Sequence, residues 1–139
     1  MTQMEELQIL VTGLKDGDNL IQVRDSSSEI QNQFRQFELL SNRAENTNML
    51  KRYLNNYDAM LRLIEVLLLQ YGYRLGEQPH ATARKIIAII SPSTDFRHLA
   101  NVRHNAKKQR IEPHAEDLNR LIQLIGQISQ ATEHLSQNE

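Results

Sequence analysis

Between Phe96 and Ile111 the chain carries no acidic residue, while Arg97, Arg103, Lys107, Lys108 and Arg110 supply permanent positive charge and His98 and His104 supply imidazoles. Guanidinium and ammonium groups hold phosphate oxygens through charge-assisted hydrogen bonds, and an imidazole moves protons near neutral pH. Wound as a helix of 3.6 residues per turn, this segment puts Arg97, Asn101, His104 and Lys108 on one narrow stripe. Phe96, Leu99, Val102 and Ala106 then take the opposite side and face a core. Arg97 and His104 stand two turns apart, about 10.5 Å along the axis. The chemistry on offer is phosphate binding with a proton carrier beside it. A plainer reading competes: a solvated basic face, balanced by the eight acidic residues against four basic ones in the first fifty positions.

Other chemistries lack their residues. The chain of 139 residues has no Cys, which excludes disulfides, thiolate zinc sites and a Cys nucleophile. No Gly-rich loop of dinucleotide or P-loop spacing occurs, and the five His, at positions 80, 98, 104, 114 and 134, show no metal-binding spacing. No cofactor is expected. Sixteen basic against seventeen acidic residues give a formal charge of −1, so bulk positive charge cannot hold nucleic acid and only a local patch can. The longest apolar stretch, Leu61 to Leu69, already contains Arg62 and Glu65, well short of the about 20 apolar residues of a membrane span. Glu5 and Glu6 stand where a secretory signal would carry Lys or Arg. The expectation is a cytoplasmic protein with no membrane segment.

The stripe needs a scaffold, and the hydrophobic periodicity supplies helices. Leu7, Leu10, Val11 and Leu14 mark a first helix that Gly13 and Gly17 end near Lys15; Asp16 to Asp25 reads as a loop or short irregular piece. Ser26 to Ser28 with Glu29 forms a capping-box pattern ahead of a stripe of Ile30, Phe34, Phe37 and Ser41, with Leu40 beside it. After a polar break at 44–48, with Asn46 or Thr47 as cap, the apolar period runs from Met49 to Tyr71. Around Leu61 to Leu69 apolar residues cover most of the circumference, which marks a helix central to its bundle or shared with a second subunit. Gly72 and Gly76 stop it, and 76–79 form a turn.

A short helix follows from His80 to Ile90. Its run of Ile86, Ile87, Ile89 and Ile90 has strand propensity, but no strand partner is evident, so helix is preferred. Ser91 to Thr94 break the chain before the basic helix, Asp95 to Arg110. Pro113 opens a last helix whose seam is Leu118, Leu121, Ile122, Ile125, Ile128 and Leu135, with a frayed tail from Ser136 to Glu139. The fold class is all-α: an up-and-down bundle of about four long helices plus a short one, in a single domain over residues 1–139.

The segment from Tyr57 to Arg74, continued by Gln78-Pro79-His80-Ala81, resembles the central helix and following turn of HEPN domains. Phe96 to Gln109 is similar to that family's third long helix, and Glu112 to Asp117 to the polar lead-in of its last helix. The resemblance covers Leu50 to Ile128, so residues 46–135 form the HEPN-like core and 1–45 carry N-terminal helices that add little to it.

The resemblance implies a helical bundle that often dimerises and, in active members, a metal-independent endoribonuclease of toxin or defence type. It also implies an RNA or protein partner such as an antitoxin, and a homodimer. The family's mark is an Arg, four to six residues, then a His. Arg97 and His104 satisfy it with six residues between them, whereas at the family's usual place, Arg103-His104-Asn105 to Gln109, the expected His is Gln109. Carried over, the resemblance assigns catalytic roles to Arg97, His104 and Arg103. It assigns RNA contacts to Asn101, Asn105, Lys107, Lys108 and Arg110. With an amide in place of the imidazole, the implied member binds RNA or a protein partner with weak or no catalysis. The alternatives are the active ribonuclease and a helical interaction domain unrelated to the family.

Overall fold

The structure, a computed structural model, describes residues 2–15, 20–44 and 47–137. They form an all-α helical bundle with one small two-stranded ribbon: α1 (Gln3–Lys15), β1 (Leu20–Gln22), α2 (Ser26–Ala44), α3 (Met49–Leu69), β2 (Tyr73–Leu75), α4 (Pro79–Ile90), α5 (Phe96–Gln109) and α6 (Ala115–Gln137). All six segments with helical periodicity are helices, including the β-branched run of α4, which buries Ile86, Ile87 and Ile90. Among the described helices none is long and apolar enough to cross a membrane.

Helix α3 is the axis of the bundle. Its apolar circumference is covered from within the chain, since α2, α5, α6 and β2 all pack on it. Tyr53, Tyr57, Met60, Leu63, Ile64, Leu67 and Leu68 have essentially no exposed surface. Asn48 caps the helix, its side chain accepting from Lys51 N at 2.9 Å, so the cap lies one residue beyond Thr47. Asn46, the other candidate, lies outside the described residues, as do Gly17 and the end of the tail, 138–139.

Helix α6 closes the core with Leu118, Leu121, Leu124, Ile128, Ala131 and Leu135. Leu124 belongs to the seam, and Ile122 is 43% exposed, so the expected seam is displaced by part of a turn there. Gln70 Nε2 donates to Thr132 O at 3.2 Å, which ties the end of α3 to α6.

Helix α1 places Leu7, Val11 and Leu14 against the bundle and packs on α4, where Gln3 Nε2 donates to Ile90 O. Helix α2 differs: none of its described side chains is fully buried, and Phe34 is 41% exposed. It leans on α3 through Ile30 and Phe37, and Arg62 donates to Gln33 across that contact at 3.0 Å. Its first turn already contains Ser26 to Ser28. Ser27 donates to the carboxylate of Asp25, the residue just before the helix, where a capping box would have used a Ser ahead of the helix.

The segment read as irregular contains β1, which pairs antiparallel with β2 in the register Leu20 to Leu75, Ile21 to Arg74 and Gln22 to Tyr73. Three-residue strands are too short to show a period, so neither was visible in the pattern. Gly72 adopts φ +87°, a conformation that favours glycine, and its carbonyl accepts from Val23 N at 2.9 Å. The carboxylate of Glu65 then accepts from Leu75 N at 3.0 Å and fastens the ribbon to α3.

Candidate nucleic-acid interface

Helix α5 is capped at its start by Asp95, whose carboxylate accepts from His98 N at 3.2 Å, and at its end by Arg110 in the left-handed region with φ 54°. Phe96, Leu99 and Ala106 are buried and Val102 is half-buried, which fixes the rotation of the helix. The Tyr53 hydroxyl donates to Leu99 O at 2.7 Å and anchors α5 to α3 through a buried bond. Its opposite side therefore faces outward: Arg97, Asn101, His104 and Lys108 are all exposed. Lys107 and Arg110 are exposed as well, and Asn105 is half-buried.

Arg103 lies elsewhere on the circumference. It is half-buried at the junction with α3, its guanidinium carbon 5.0 Å from the centre of the Tyr57 ring. That ring stacks on Phe96 at 6.1 Å and on Tyr53 at 6.5 Å, and it neighbours the His80 imidazole at 5.9 Å. The geometry thus groups Arg97 with His104 on the solvent stripe and places Arg103 in a second cluster with Tyr57 and His80. No hydrogen bond to a described residue fixes the side chain of Arg97 or His104.

The second cluster has a definite protonation state. Burial raises the Tyr57 phenol to about 12, against the smaller opposing effect of Arg103, so it keeps its proton at neutral pH. His80 is pushed below its ordinary value, first by burial and then by the cation of Arg103. The phenol shares a hydrogen bond with the Nδ1 of His80 at 3.2 Å, so that ring nitrogen is engaged with Tyr57. His80 and Tyr57 were not chosen as site residues from the sequence, because 23 positions separate them and only the turn after α3 brings them together.

On the flank facing α6, His98 Nε2 lies 2.8 Å from Asp117 Oδ1; the carboxylate is buried and the imidazole half-open. Helix α4 contributes Arg84 and Lys85, both exposed, and Arg84 shares a small hollow with Arg97. From His80 to Arg110, seven basic residues and three His face a single acid, Asp95. No known protein family, curated protein or solved structure matches this chain.

Proposed function

We propose that the chain is a HEPN-like module that binds the phosphate backbone of RNA along α5, with little or no catalysis. The reading rests on one observation: Arg97, Asn101, His104 and Lys108 share the outward side of a helix whose other side is anchored in the core. Phosphates contacting such a row would follow the helix axis, and Lys107 and the exposed cations of α4 would widen the positive field.

Weak catalysis is favoured by how His104 and His80 are held, while His98, which Asp117 orients, lies on the α6 flank beside the stripe. A general base needs a free nitrogen and a neighbour that orients it. Among the described residues His104 lacks the orienting neighbour, and Nδ1 of His80 is already bonded to Tyr57. Arg103, the other expected phosphoryl-stabilising group, is engaged over the Tyr57 ring. The test is fluorescence anisotropy of labelled single-stranded RNA in chelator across a salt series, with the RNA then run on a gel. The expected result is salt-sensitive binding without cleavage. Cleavage abolished by His104→Ala would establish the ribonuclease, and absence of binding at low salt would remove the RNA reading.

A further inference from the structure

A polar cavity of about 360 Å³ opens between the start of α5 and the middle of α6. It lies within the size range of small-molecule sites, at their lower end. Leu99 lines its apolar part, and Asp95, His98, Arg120, Gln123 and Gln127, with the hydroxyls of the 91–94 turn, supply its polar groups. None of the eight expected contact residues lines it.

Charge selects the class of ligand. Arg120 is already paired with Glu116 at 2.7 Å, and Asp95 is committed to the backbone of His98. With a carboxylate set against each cation, the cavity has no surplus positive charge to hold a free phosphate. Ser91 and Thr94 bond each other at 2.6 Å, which leaves the Ser93 hydroxyl and the pair of amides, Gln123 and Gln127, one helical turn apart on α6, each amide with a donor and an acceptor. Beside them stands His98, its Nε2 held 2.8 Å from the buried Asp117 carboxylate and its side chain about half exposed. An uncharged, flat ligand with its own donors and acceptors satisfies this set.

Position narrows it further. His98 follows Arg97 by one residue, about 100° round α5, so the cavity opens on the α6 flank adjoining the stripe, where a base splayed from a strand on the stripe can turn in. We infer that the cavity receives one unstacked base of a single-stranded RNA whose phosphates lie on α5, the base resting on His98 and bonded by Gln123 and Gln127. This rests on the RNA reading above and adds a preference for unpaired strands, since bases splayed from a strand stack on His and aromatic rings and expose hydrogen-bonding edges that a duplex hides.

The experiment compares anisotropy titrations of a single-stranded RNA and its duplex, for the unaltered chain and for a Gln123→Leu/Gln127→Leu double variant. Both glutamines are exposed, so the variant is expected to fold. The unaltered chain should favour the single strand. The variant should lose about tenfold in single-strand affinity, as two neutral hydrogen bonds predict, with duplex affinity unchanged. Equal binding of both forms by the unaltered chain, or a variant indistinguishable from it, overturns the base site and leaves phosphate binding intact. Failure of both forms to bind at low salt ends both readings. Free uridine or adenosine as competitor separates the two sources of a base: displacement of the strand at equal concentration assigns the cavity to a nucleoside and overturns the strand assignment.

Discussion

The guanidinium of Arg103 lies over the buried ring of Tyr57, and Tyr57 in turn is bonded to His80, so a cation of α5, a phenol of α3 and an imidazole of α4 form one cluster. Arg103→Gln removes a positive charge that holds the imidazole below its usual range. The His80 pKa should therefore rise in the variant, measured by NMR titration of its ring protons. An unchanged value would mean that burial alone sets it. The lost cation–π contact should also cost about 1 kcal/mol of stability.

Alkali should weaken the fold over a definite window. The Tyr57 phenol is raised to about 12 by burial, and Tyr53, bonded to Leu99 O, is raised further by the same cause. An unfolded chain releases these protons near pH 10, when the folded chain still holds them. Stability is then fully present below about pH 10 and falls as pH rises toward 12. Urea midpoints measured from pH 8 upward should show this decline, and Tyr57→Phe should make it shallower.

At the start of α3, Asn48→Ala removes the acceptor of Lys51 N. Loss of such a cap costs about 1 kcal/mol. Chemical denaturation should show that decrease, with Asn48→Asp retaining most of the stability.

On the proposed interface, Arg97→Ala and Lys108→Ala should each weaken RNA binding regardless of sequence. Each should also reduce the slope of log affinity against log salt by about 0.7, the contribution of one phosphate contact on a single strand. Glu133→Gln, an exposed change on α6, serves as the control and should leave the slope unaltered. A slope indifferent to both substitutions would place the phosphates elsewhere.

The helices were legible because each buries a stripe, and a stripe of Leu7, Val11 and Leu14 or of Leu118, Leu121 and Ile128 needs only local spacing to be seen. The outward side of α5 followed for the same reason, since placing Phe96, Leu99 and Ala106 inside puts Arg97 and His104 outside. What stayed hidden depends on contacts between distant segments. The β1–β2 pairing spans some fifty positions with three residues a side. The grouping of Arg103 with Tyr57 and His80 depends on how α3, α4 and α5 cross, and periodicity says nothing of crossing. Leu124 replaced Ile122 because a seam along a 23-residue helix drifts around the cylinder as its partners change.

The docking of α1 has a consequence for synthesis on the ribosome. Its partner is α4, reached by the bond from Gln3 to Ile90, and the strand that follows α1 waits for residues 73–75. On emerging, α1 must therefore hold Leu7, Val11 and Leu14 uncovered until β2 and α4 have followed. Such an interval favours nascent-chain capture by chaperones and leaves α1 exposed to off-pathway association.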